Sequence, residues 1–252
     1  MKKIHNLKTV ALLIGVFWIV SCEKSDLVNE TNQSLEIEEV EKNNLNQKNE
    51  GFKSTTGNDG EILKDFKETV SPVLKVHFDD DVPLQEAMLK FDKEVKNYLS
   101  NQSKQINKDF STEWYYRVWV KTGTQTYNET DGPVGAYIRF TTSAGGYTPA
   151  FNWMNGAGNS LDGGYDGYLF RGAIPGAAVE WVEVDYGHLY LKGMNGWFVK
   201  EFICQLWQSD QTIPATGFSQ FWSYPNVWLD NDTADAWDYY YSGNIGTGRI
   251  NF

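Results

Sequence analysis

The sequence predicts an all-β fold over residues 111–252, a sandwich or barrel. A polar N-terminal stretch and a short helical segment precede it. Three observations predict this. Composition changes at about residue 111: 19 of the 23 glycines, nine of the ten tryptophans and 13 of the 14 tyrosines lie beyond it. The hydrophobic period there is two, as side chains alternating between the faces of a strand require. Turns rich in Gly, Asn and Asp separate the alternating runs at intervals of roughly 8–12 residues.

The chain opens with Lys2, Lys3 and Lys8 around a nearly continuous apolar run over residues 10–20. Such a run is too short for a bilayer core, which needs about 20 residues, and fits the apolar region of an export signal. It ends in Ile19-Val20-Ser21-Cys22, which resembles the lipobox of bacterial lipoproteins. That resemblance implies a signal peptide over residues 1–21 and acyl chains, palmitate among them, on Cys22. It also implies residence in the cell envelope. Losing residues 1–21 removes three lysines from a chain of formal charge −11 and leaves −14. An acidic chain argues against broad nucleic-acid binding, which needs Lys and Arg to neutralise phosphates. No polybasic patch for anionic lipid is expected either.

Residues 22–60 read as a disordered tether: polar, without Trp or Tyr, and too poor in apolar residues to offset chain entropy. A flexible chain of that length spans roughly 35 Å. Glu23-Lys24-Ser25-Asp26 resembles charged signals that send lipoproteins to the outer cell surface, and reads equally as the start of a solvated linker. Residues 61–110 form a partly helical arm. Leu84, Met88, Phe91, Val95 and Leu99 make one apolar helix stripe. Asp79, Asp80, Asp81 and Pro83 mark the helix start. The arm either packs on the main domain or serves as an interaction element.

Within 111–252 the strands are read from alternation. Tyr116, Val118 and Val120 alternate with Arg117, Trp119 and Lys121; Val134, Ala136, Ile138 and Phe140 alternate with Tyr137 and Arg139. Residues 181–185 alternate, as do Leu189 and Leu191 against His188 and Tyr190. Phe198, Phe202 and Leu206 are assigned to one face. Residues 145–167 are a glycine-rich connection with a strand at 147–154. Without GxxxxGK[ST] and a following helix, it is no phosphate loop.

The order of these segments resembles the PLAT/LH2 family. Tyr116-Arg117-Val118-Trp119-Val120-Lys121-Thr122-Gly123 is similar to the family's opening strand, and Thr130-Asp131 to its Thr-Asp before the second. Tyr168-Leu169-Phe170-Arg171-Gly172 and Gly196-Trp197 resemble further motifs, and residues 221–229 resemble an aromatic ending. The likeness covers about 115–230 and implies an eight-stranded antiparallel β-sandwich. It also implies calcium held by loop acids. Asp131 matches a family position, whereas Asp162, Asp166 and Asp230 are candidates by composition alone. The turn at Gly193-Met194-Asn195 lacks the acid often found there, which weighs against calcium.

Catalysis has little to stand on. The domain holds one histidine, His188, with no Ser or Cys at a spacing that would assign a nucleophile. Cys204 reads as a small core residue. Asp162 with Asp166, Asp230 with Asp232, and Asp235 with Asp238 are loop carboxylate pairs that a hydrolase could use. The aromatics point instead to binding, since 30 Trp, Tyr and Phe fall among these 142 residues. Trp119 and Tyr137 occupy the face opposite the aliphatics. Tyr147, Trp153, Tyr165 and the run Tyr239-Tyr240-Tyr241 are assigned to loops or to the region near the terminus. Either these side chains meet a ligand, or the 84–99 helix covers that face. The expected function is a membrane-anchored outer-membrane lipoprotein presenting a non-catalytic sandwich to a protein or lipid partner. A carbohydrate-binding module is the alternative, and a loop-carboxylate hydrolase the third reading.

Overall fold

The computed structural model describes residues 69–102, 112–155, 161–230 and 233–252. The expected signal peptide, its Cys22 and the expected tether lie outside the described residues. Thirteen strands and one α-helix are present among them. Strands β1 (Thr69–Val70), β2 (Leu74–Phe78) and helix α1 (Leu84–Asn101) precede residue 111. Then come β3 (Glu113–Thr122), β4 (Val134–Thr142), β5 (Gly145–Tyr147), β6 (Phe151–Asn155) and β7 (Gly164–Ala173). The longest are β8 (Trp181–Lys192) and β9 (Trp197–Trp207), followed by a 3-10 turn at Gln208–Asp210. The chain ends with β10 (Thr216–Ser223), β11 (Val227–Leu229), β12 (Trp237–Tyr241) and β13 (Thr247–Asn251).

The expected all-β sandwich is present, with thirteen strands rather than eight. Several of the thirteen are short, and two come from the arm. The sheet path runs β1-β6-β4-β8-β13-β10-β9-β3-β7-β2, with β5, β11 and β12 pairing onto β4, β9 and β8. Every pairing is antiparallel except β1 with β6. The path folds back so that β3 faces β4, and the rings of Tyr116 and Phe140 meet edge-on at 5.0 Å. Between the layers lies the core predicted by alternation: Tyr116, Val118 and Val120 against Val134, Ala136, Ile138 and Phe140. Cys204 is buried there, and burial pushes its thiol pKa up.

The arm belongs to this sandwich. β2 adds an edge strand to β7, pairing Leu74 with Leu169 and Phe78 with Tyr165. Helix α1 carries the predicted stripe, with Ala87, Phe91 and Val95 buried. It covers the outer face of β7, β3 and β9, where Tyr115, Trp119, Tyr165, Leu169 and Ile203 form a second apolar cluster. Arg117, only 3% exposed, fixes the helix in place. Its Nε and Nη2 donate to both carboxylate oxygens of Asp210 at 2.6 and 2.7 Å, and its Nη1 donates to Asp92 of α1. Burial opposes the charge on Arg117, and the two carboxylates overcome that penalty and raise its pKa.

Two β-bulges change which side chains share a face. Pairing of β3 with β9 shifts between Lys121 and Thr122. Phe198 therefore leaves the face of Phe202 and Leu206 and packs on Trp228 at 5.2 Å, while Trp197 and Val199 enter the core. Pairing of β4 with β8 shifts between Arg139, opposite Tyr186, and Phe140, opposite Val184. Asp185 is the extra residue, so the alternations on either side of it run out of phase.

Candidate functional site

The bulge at Asp185 gives β8 one aromatic outer face. Val182, Val184, Leu189 and Leu191 point into the core. Tyr186, His188 and Tyr190 point the other way, away from α1. Register brings the neighbouring strands into line with them. Tyr137 of β4 lies opposite His188, and Arg139 opposite Tyr186. From β12, Tyr241 lies opposite His188 and Tyr239 opposite Tyr190. Trp153 of β6 extends the row beyond β4, opposite Gly135.

The rings touch continuously across the four strands. His188 and Tyr241 stack at 4.7 Å and 20°, and Tyr190 and Tyr239 stack at 5.9 Å and 29°. Tyr137 meets His188 edge-on at 6.0 Å, and Tyr186 meets Tyr241 edge-on at 5.3 Å. Phe151 links Trp153, Tyr190 and Trp237 at 5.7–5.9 Å. Most of these side chains are half-buried, and Tyr241 is 41% exposed.

Polar groups ring the platform. Tyr137 Oη and Arg139 Nη1 both donate to Thr148 Oγ1, and Thr141 Oγ1 donates to Asp185. Tyr241 Oη donates to Asn244 Oδ1 at 2.6 Å. Partial burial, followed by the neighbouring Tyr137, raises the pKa of the Tyr186 phenol. Asp185, Tyr186, Asn244 and Gly246 line an open pocket of about 330 Å³ at this end of the platform.

The structure sorts the predicted ligand-binding residues. Tyr137, Trp153 and Tyr239 lie on this face. Trp153 is on β6, overlapping the strand expected over 147–154, and Tyr239 is on β12 rather than in a loop. Trp119 is fully buried: it is on the face opposite the aliphatics, but α1 covers that face. Its ring meets Phe91 edge-on at 4.8 Å, and Gly167 on β7 leaves room for the indole, since an added Cβ would come within 2.8 Å of it. Tyr165 is a strand residue under the same helix, hydrogen-bonded to Glu201. Tyr240 alternates inward against the core, its hydroxyl 2.5 Å from Ser223 Oγ. Tyr186, His188, Tyr190 and Trp237 were not assigned to the site from sequence, whereas Tyr241 was, as part of the run Tyr239-Tyr240-Tyr241. Their period-two spacing was visible, but the bulge and the β8–β12 pairing that unite them were not.

The structure divides the predicted calcium ligands between two places, Asp131 and Asp230 beside the turn at Asn195-Gly196, and Asp162 and Asp166 near His77. Asp131 accepts a hydrogen bond from Asn195. Asp230 is exposed, and its backbone amide donates to Asp238. Asp166 is a buried strand residue rather than a loop acid, 3.3 Å from His77 of β2. Asp162 is exposed, lies just before β7 and is near His77. Among the described residues, no three His, Cys, Asp or Glu side chains gather as a metal group. The carboxylate pairs are likewise split: Asp166 and Asp238 are buried in strands, and Asp232 lies outside the described residues.

The loops and the short strand β11 at one end of the sandwich expose apolar side chains. Tyr127, Met194 and Trp228 are 88%, 61% and 41% exposed. Hydrogen bonds from Thr130 to Asn195 and from Phe198 to Asn128 hold two of these loops together. No helix among the described residues is long and apolar enough to cross a membrane.

No protein-family model matches the chain, and no curated protein matches it. Among solved structures, it is similar to alpha-toxin from an avian strain of Clostridium perfringens, at 12% identity and a TM-score of 0.33. That likeness covers 56% of this chain and 35% of the toxin. It is also similar to a LOX deletion variant in complex with arachidonate, at 17% identity and a TM-score of 0.29. There 55% of this chain and 16% of the other are covered. The chain thus spans well under half the length of either, and its function is read from its own geometry.

Proposed function

We propose that this protein is a non-catalytic binding module of the cell envelope, anchored by acyl chains on Cys22 and reaching its ligand through the aromatic face of β6, β4, β8 and β12. The observation that carries the reading is the continuous ring contact from Trp153 to Tyr241 on a sheet face that α1 leaves uncovered. A sheet needs one apolar face for its core. A second aromatic face serves stability only if something covers it, as α1 covers Trp119 on the other side. The lipobox-like Ile19-Val20-Ser21-Cys22 at the end of the N-terminal apolar run supports an outer-membrane location for the module.

A second reading has its own observation. Tyr127 and Met194 on the end loops, with Trp228 on β11, form an apolar tip suited to insertion into a lipid surface. Asp131, Asp230 and Asp235 lie on the same or adjoining loops, which sets anionic headgroups against the approach. The aromatic face is therefore preferred. Binding to isolated envelopes separates the two readings. Tyr239→Ala with Tyr241→Ala is expected to abolish it, and Met194→Ala with Trp228→Ala to leave it intact. The reverse pattern would replace the face with the loops.

A further inference from the structure

We propose that the ligand of the aromatic face is a neutral glycan, and that the bulge at Asp185 forms the pocket that selects it; this rests on the reading of that face as the binding surface. A pyranose ring has an apolar C–H face and a rim of hydroxyl groups. Its recognition needs an aromatic ring beside hydrogen-bonding groups at the same level. The platform ends in that combination. Tyr241 is its most exposed ring. Its hydroxyl holds the Asn244 amide, and Asn244 lines the pocket together with Asp185 and Tyr186. The carboxylate offers acceptors, and the amide offers both donors and an acceptor.

The pocket is built into the fold. Asp185 is the residue displaced by the bulge, and its carboxylate is held by Thr141. Gly246 closes onto the bulge, its amide donating to the Asp185 carbonyl at 2.9 Å. A Cβ at 246 would fall 1.8 Å from the Val184 carbonyl oxygen, so only glycine allows this approach. Bulges of this kind re-aim side chains beside functional sites.

Charge decides between ligand classes. The chain carries −11 overall, yet the charges at this face are balanced. Arg139 and Asp185 both lie beside Tyr186, and Glu183 pairs with Arg249 at 2.6 Å. A balanced, hydroxyl-rich face suits an uncharged polyol and gives an anionic lipid or peptide no excess of cations to meet.

Affinity electrophoresis tests this. The full chain carrying Cys22→Ser is run through gels containing laminarin, xyloglucan, galactomannan or starch. In parallel, it is sedimented with phosphatidylcholine vesicles. At least one polysaccharide is expected to retard it. Tyr241→Ala and Asn244→Ala are each expected to weaken retardation about tenfold at an unchanged melting temperature. No retardation by any polysaccharide, or retardation unaffected by both variants, would overturn the glycan assignment. Vesicle binding that Tyr241→Ala abolishes, without retardation, would also overturn it while leaving the aromatic face as the binding surface. Binding of either kind that only Trp228→Ala abolishes would overturn both readings.

Discussion

The ring of Tyr241 on β12 lies over that of His188 on β8, with centroids 4.7 Å apart and planes 20° apart. The two are directly opposite in an antiparallel ladder, so register alone brings them together. Tyr137 meets the same histidine from β4. One imidazole thus joins three strands of the platform, and the face holds its shape before any ligand arrives. Preformed aromatic surfaces lose little conformational entropy on binding.

Cys22→Ser is expected to move the protein from the membrane fraction to the soluble fraction, because acyl chains supply the anchoring. Immunoblots of fractionated cells read the outcome. Retention of the variant in membranes would remove the lipoprotein reading.

Asp210→Ala is expected to destabilise the fold by about 3–5 kcal/mol, since it strands the buried Arg117 charge. Asp92→Ala should cost clearly less, because the Asp92 side chain is 37% exposed and Arg117 keeps both bonds to Asp210. Urea unfolding of the three proteins measures the order. Equal costs would mean that Arg117 is not held chiefly by Asp210.

Phe91→Ala is expected to cost about 3–5 kcal/mol, since it opens a cavity over Trp119. It should also make α1 a site of early proteolysis while binding through the opposite face survives. Limited proteolysis with mass spectrometry identifies the first cut. A first cut in the core strands would contradict the role of α1 as a cover.

The His77–Asp166 contact gives a pH dependence of known sign. Hydrogen bonding to Asp166 raises the His77 pKa above the ordinary histidine value of about 6.5 against the opposing effect of burial, with further help from Asp79 and Asp162. A raised folded-state pKa gives stability that is fully present below the unfolded value. That stability is lost as pH rises through the folded one. Melting temperature should therefore fall as pH climbs from about 6.5, and His77→Gln should flatten that slope. An unchanged slope in His77→Gln would assign the titration to another group.

Much of the fold could be read from the chain because alternation reports which face a side chain takes. Val118, Ala136 and Leu189 were assigned inward for that reason, and the stripe from Leu84 to Leu99 gave α1. Alternation does not report what lies above a face. Trp119 and Tyr137 therefore looked equivalent, although α1 covers one and leaves the other open. Nor does it report a bulge: one extra residue at Asp185 and a shift near Thr122 re-sorted Tyr186 and Phe198 without any sign in local composition. β2 went unread because a five-residue edge strand carries too few alternations to stand out beside a helix.

The central claim, that the module binds through its aromatic face, is tested most directly by hydroxyl-radical footprinting of the anchored protein on intact cells, against the same protein purified. Tyr137, Trp153, Tyr239 and Tyr241 are expected to be protected on cells, with Tyr127, Met194 and Trp228 equally reactive in both. Protection of Tyr127, Met194 and Trp228 with an unprotected platform would contradict the account.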